Sequence, residues 1–125
     1  MTAQASSVGA VLAALADPTR RQLLDVLAAR GAASATTIAA ALPISRQAVV
    51  QHLAVLRDAG LVSGDRVGRE VRYVVRPQPL DAAARWMLDR AAEWDRRLET
   101  IKRLAEADTA GAARPIAGSS RPPPE

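Results

Sequence analysis

Four polar residues close together in the chain, Ser45, Arg46, Gln47 and Gln51, have side chains suited to hydrogen bonding with duplex DNA. Arginine can donate two hydrogen bonds to guanine, and glutamine can pair in the same way with adenine. We therefore expect Arg46, Gln47 and Gln51 to contact base edges. The Ser45 hydroxyl, which is engaged as a helix cap, is left to contact a phosphate. The alternative interpretation is an ordinary solvated helix face.

These residues begin a helix predicted over residues 45–59. Ser45 is a favourable N-cap, and Ile44 and Val49 stand at the two positions of a hydrophobic staple. Gly60 can end the helix in a left-handed conformation, with the next residue packed back against Leu56. Apolar residues recur at the spacing of one helix face, which predicts that the opposite face is exposed. That outward face carries Arg46, Gln47, Val50, Gln51 and Ala54.

A basic β-hairpin is predicted over residues 61–75, where apolar and charged residues alternate. Gly68 and Arg69 suit a two-residue turn, because glycine tolerates the positive φ that such turns require. This register places Asp65 opposite Arg72 as a favourable charge pair, and it places Val62 opposite Val75 on the buried face. The arginines of the hairpin are predicted to contact phosphates or the minor groove, with a merely solvated hairpin as the alternative. They are Arg66, Arg69 and Arg72.

Three shorter helices are predicted before this pair of elements, at about residues 7–16, 18–30 and 34–42. Asp17 followed by Pro18 is a strong helix start, and Gly31 ends the same helix. Ser34 can cap the third helix, which Pro43 stops. The predicted fold is therefore mainly α with a small β-hairpin: five helices and a two-stranded wing, a winged helix-turn-helix.

A fifth helix, predicted at about residues 80–107, repeats apolar or small residues in alternating steps of four and three. This heptad pattern favours a long helix–helix seam, which one copy of the chain could not cover. We therefore expect a homodimer formed by the last helix with help from the first. Residues 1–107 are read as one domain and residues 108–125, rich in Ala, Gly, Pro and Ser, as a disordered tail. The predicted dimer contacts are Val8, Leu12, Leu15, Met87, Ala91, Trp94, Leu98 and Ile101.

Composition and charge exclude several classes of function. The 125 residues include no Cys, which rules out disulfides and thiolate metal sites, and His52 is the single imidazole. No glycine-rich phosphate loop or catalytic Ser/His/carboxylate spacing is present, so we expect no enzyme activity, no cofactor and no metal. With neither a signal-peptide pattern nor a long apolar run, a cytoplasmic protein is expected. Nine arginines against five acidic residues between positions 17 and 76 carry the net charge of +4, which favours contact with phosphates.

Three stretches, LADPTRRQLLDVL, LPISRQAVVQHLAVLRDAGLV and GREVRYVV, resemble the ArsR/SmtB family of dimeric bacterial repressors over about residues 8–105. The resemblance implies a sequence-specific DNA-binding regulator that reads an inverted repeat, and that an unidentified small-molecule or protein effector could release. It also implies a phosphate or packing role for His52 in the QHL triplet. Many members have a small polar residue at the position of Val50; the valine here either meets a thymine methyl or is simply tolerated. The Cys or His ligands of the metal-sensing members are lacking. The alternative is a winged-helix module for protein–protein interaction that does not bind DNA.

Overall fold

The computed structural model describes residues 3–113, which form five α-helices and three β-strands. Two compact units follow one another along the chain, the first ending at Trp86 and the second beginning at Met87. In the part of the chain that is described, no helix is both long and apolar enough to cross a membrane. The elements are α1 (Ala3–Leu15), α2 (Pro18–Arg30), β1 (Ala33–Ser34), α3 (Ala35–Ala41), α4 (Arg46–Asp58), β2 (Val62–Val67), β3 (Glu70–Val75) and α5 (Gln78–Ala113).

Helix α2 has the caps that its sequence predicts. The Asp17 carboxylate accepts hydrogen bonds from the backbone N–H groups of Thr19 at 2.7 Å and Arg20 at 3.3 Å. Pro18 occupies the first turn, where its missing N–H costs nothing. At the other end the N–H of Gly31, at φ +83°, donates to the Leu27 carbonyl. These local interactions fix both ends of the helix.

Helix α4 is also bounded by its caps. The Ser45 hydroxyl accepts a hydrogen bond from the backbone N–H of Ala48 at 3.1 Å. At the C-terminus Gly60 has φ +80°, and its N–H donates to the Arg57 carbonyl while the N–H of Leu61 donates to Leu56, both at 2.9 Å. This is the Schellman arrangement that the sequence predicts.

The wing has the predicted register, with Val62 opposite Val75 and Asp65 opposite Arg72. Gly68, at φ +63°, and Arg69 form the turn. The sheet has a third strand that we did not expect, because the two-residue β1 pairs with β3 and gives the order β1-β3-β2. The wing is thereby attached to the residues that lead into α3.

The core of the first unit lies where α1 to α4 meet the inner face of the sheet. Helix α5 begins two residues earlier than predicted and continues to Ala113, so residues 108–113 are helical and not part of a disordered tail. The rest of the predicted tail, residues 114–125, lies outside the described residues. The largest fully buried side chains are Leu23, Leu27, Ile38, Leu53, Leu56, Leu61, Val11 and Val49.

Candidate nucleic-acid interface

Helix α4 buries its apolar face in the core, which leaves its polar face exposed to solvent. Val49, Leu53 and Leu56 are at most 1% exposed in the core. The predicted DNA-contacting side chains of this helix lie on the other side, and all of them are exposed except the half-buried His52. The exposed set is Ser45, Arg46, Gln47, Val50 and Gln51.

The Arg46 side chain is directed toward the preceding helix. Its Nε donates a hydrogen bond of 3.1 Å to the Thr36 hydroxyl of α3. Thr36 was not among the predicted site residues, because it is ten residues from Arg46 along the chain and that spacing gives no sign of contact. Arg46 is therefore held at the boundary between α3 and α4.

A cleft of about 410 Å³ opens beside this pair, between the two helices and the wing. Arg46 and Thr36 line one side of it, and Arg69 and Tyr73 of the wing line the other. Two arginines from separate elements, Arg46 of α4 and Arg69 of the wing turn, thus line one cavity. The rest of its lining is Ser34, Ala35, Val50, Glu70 and Val71.

All three wing arginines are exposed, Arg66 and Arg72 on the strands and Arg69 in the turn. The described ion pairs do not include one between Arg72 and its cross-strand neighbour Asp65, so the predicted register is confirmed without that ion pair. The Arg72 guanidinium is accordingly not neutralised by its neighbour.

Arg20 and Arg21 have a structural role at the end of α1. The Arg20 Nε donates to the Ala14 carbonyl at 2.6 Å, and Arg21 donates to the Leu15 carbonyl at 2.5 Å. The last carbonyls of a helix lack partners within the helix, and cationic side chains stabilise that end. This pair therefore joins α1 to α2.

Asp17 combines its capping role with an ion pair. Partial burial alone would raise the pKa of this carboxyl group. Hydrogen bonds from Thr19 and Arg20, with the charges of Arg20 and His52, outweigh that effect and hold the pKa of Asp17 below its ordinary value. The Arg20 guanidinium lies 3.6 Å from the carboxylate. No group of three or more His, Asp or Glu side chains among the described residues could hold a metal ion.

The residues predicted to form a dimer fall into two sets. In α1, Val8 is 3% exposed within the core of its own chain and Leu15 is half-buried, whereas Leu12 is 38% exposed. In the second unit every predicted contact residue is exposed in the single chain. These residues are Met87, Ala91, Trp94, Leu98 and Ile101.

Comparisons with known proteins agree with the helix-turn-helix architecture described above. A model of a helix-turn-helix domain matches residues 15–64. The transcriptional repressor SdpR of Bacillus subtilis is 35% identical over 79 residues, covering 63% of this chain and 87% of SdpR. The HTH-type transcriptional regulator Rv2034 of Mycobacterium tuberculosis is 41% identical over 95 residues, covering 76% of this chain and 85% of Rv2034.

Structural similarity extends over most of the chain. The solved structure of an ArsR-like transcriptional regulator from Rhodococcus sp. RHA1 has a TM-score of 0.75 and 42% identity, covering 83% of this chain and 97% of that one. The helix-turn-helix match, the structural similarity and this level of identity lead to one assignment. The chain belongs to the ArsR family of winged helix-turn-helix transcriptional regulators and is a DNA-binding regulator.

Proposed function

We propose that the protein is a repressor that binds operator DNA through α4 and the wing. The observation that carries this proposal is the exposed polar face of α4 beside an exposed basic wing in a chain whose relatives regulate transcription. The major groove admits one helix, whose N-terminal residues approach the base edges. The proposed DNA-contacting residues are Ser45, Arg46, Gln47, Val50, Gln51, His52, Arg66, Arg69 and Arg72.

Base recognition is assigned to the two glutamines, Gln47 and Gln51. Both are exposed, and both lie in the first two turns of α4. Wing residues such as Arg69 are assigned to phosphates or to the minor groove, where they contribute affinity with little dependence on sequence. The protein performs no catalysis in this proposal, and an unidentified small-molecule or protein effector could control release from the operator.

The proposal is tested by fluorescence anisotropy with two duplexes, one selected by the protein from a randomised pool and one of scrambled sequence. Gln47→Ala should weaken binding to the selected duplex by about 1 to 3 kcal/mol and leave the scrambled duplex nearly unchanged. Arg69→Ala should weaken both and lower the slope of log affinity against log salt by about one unit. A wild-type protein that selects no duplex would leave the protein–protein interaction module as the better reading.

We further propose that two copies associate through the second unit's part of α5, supported by Leu12 of α1. The supporting observation is the exposure of Trp94, Leu98 and Ile101, each more than half exposed in a single chain and spaced in heptad steps. A helix with an exposed apolar stripe in heptad spacing commonly buries that stripe against a second helix. Two-fold pairing suits an inverted-repeat operator.

Sedimentation velocity tests the dimer. Leu98→Asp should give monomers at micromolar concentration and weaken operator binding, because it places an unpaired charge in the seam. Arg96→Asp is the matched control, since at about 3.6 residues per turn residue 96 lies on the face of α5 opposite the stripe that contains Leu98. A wild-type protein that sediments as a monomer, or a Leu98→Asp variant that stays dimeric, would contradict this assignment.

A further inference from the structure

The hydrogen bond between Arg46 and Thr36 bears on which residues recognise sequence. An arginine that reads guanine must extend from the first turn of α4 to the base edge, using the donors of its guanidinium group. Here the Nε donor is already bound to the Thr36 hydroxyl at 3.1 Å, which directs the side chain toward α3. Of the five N–H donors of arginine, the four on the terminal nitrogens are left for another partner.

The cleft beside Arg46 suits one anionic group of DNA. Arg46 borders it from α4 and Arg69 borders it from the turn of the wing, and both side chains are exposed. Glu70 also lines the cleft, so the three charged side chains bring one net positive charge to it. Charge-assisted hydrogen bonds from arginine to phosphate are short and strong, and they are frequently bidentate.

We propose that Arg46 and Arg69 hold one backbone phosphate of the DNA in this cleft, with Thr36 positioning Arg46, and that Arg46 does not read a base. The inference rests on the proposed function, because it requires α4 in the major groove. It assigns sequence preference to Gln47 and Gln51. Because the two arginines come from different elements, their shared contact with one phosphate also fixes the orientation of α4 on the DNA.

The test measures affinity for the selected and scrambled duplexes at several salt concentrations. Arg46→Ala should weaken binding to both by a similar factor and lower the salt slope by about one unit. The ratio of the two affinities should stay within about twofold of the wild-type ratio. Gln47→Ala, which changes the neighbouring residue on the same helix turn, should lower that ratio about 5- to 150-fold and leave the salt slope unchanged.

Two further variants examine the cleft itself. Thr36→Val keeps the shape of an exposed side chain and removes the hydrogen-bond acceptor, so it should weaken binding to both duplexes several-fold while the salt slope stays constant. Glu70→Gln removes the acidic side chain from the cleft and should strengthen binding to both. A merely structural role for these residues would not produce opposite changes with the sequence preference preserved.

The outcomes separate this inference from the proposed function. If the wild-type protein selects no duplex, the proposed function fails, and this inference fails with it. If the wild-type protein shows a preference that Arg46→Ala removes at an unchanged salt slope, Arg46 reads a base, and only the inference is overturned. If Arg46→Ala changes neither the affinity for DNA nor the salt slope, the inference about Arg46 is also overturned.

Discussion

Gly64→Ala should destabilise the protein although it adds only one methyl group. A Cβ built at Gly64 would lie 2.9 Å from Cε1 and 3.1 Å from Cδ1 of Tyr73, and 3.0 Å from Cγ1 of Val71. Tyr73 is the cross-strand partner of Gly64 and packs against the core, so the ring cannot move outward without losing contacts. Overpacking of this kind costs about 1 to 3 kcal/mol.

The cost is partly offset in the unfolded state. Alanine has fewer accessible backbone conformations than glycine in the unfolded chain, which stabilises the folded state by about 0.4 to 1 kcal/mol. We expect a net loss of about 1 to 2 kcal/mol, corresponding to a decrease in Tm of about 5 to 10 °C. Urea unfolding followed by circular dichroism at a fixed protein concentration would measure it.

Gly9→Ala is the matched control for this substitution. Gly9 lies within α1, where a Cβ would meet nothing within 4 Å. Alanine in a helix interior is favoured over glycine by about 0.5 to 1 kcal/mol, so this variant should be more stable than the wild type. Opposite signs for the two variants are the expected result. A Gly64→Ala variant as stable as the wild type would refute the assignment of Tyr73 to the space above Gly64.

Three other outcomes are expected. Gly60→Ala should lower stability by at least about 1 kcal/mol, because residue 60 has φ +80° and a Cβ there would lie 3.3 Å from Cγ of Pro79. Thermal unfolding measures this loss, and an unchanged Tm would contradict the cap geometry. Asp17→Asn should destabilise the protein near pH 7, and its difference from the wild type should shrink as pH falls below the ordinary pKa of aspartate and through the lowered folded-state pKa, since stability from such a carboxyl group is present above the unfolded pKa and lost as pH falls. Zinc, copper, nickel and arsenite should leave DNA affinity unchanged, and a stoichiometric release in a titration would refute this.

The parts of the fold that could be predicted from the sequence are those fixed by local interactions. The limits of α4 follow from Ser45 and Gly60, whose capping roles depend only on neighbouring residues. The register of the wing follows from its two-residue turn, because loop length determines which residues face each other. Helix α5 was predicted to end near Ala107 but continues to Ala113, across Asp108, Thr109 and Gly111, whose low helix propensities gave no sign of the extension.

The parts that could not be predicted depend on contacts distant along the chain. Strand β1 has two residues, too few to show an alternating pattern, and it pairs with Arg72 and Tyr73 about 40 positions later. The direction of the Arg46 side chain depends on how α3 packs against α4, which residue spacing does not report. The sequence therefore predicts which residues of α4 and the wing are candidates for DNA contact, and it does not predict how their side chains are directed.

The short strand β1 also explains how the wing can act together with the helices. Ser34 is paired with Arg72 of β3, and its hydroxyl caps α3 by accepting a hydrogen bond from the N–H of Thr37 at 3.2 Å. Only 7% of Ser34 is exposed, so this connection is protected from competing water. A displacement of the wing would break strand pairing at the same residue that begins α3. The distance between the wing turn and the Thr36–Arg46 pair is consequently set by the fold before DNA is bound. Less conformational entropy is then lost when a phosphate binds between them.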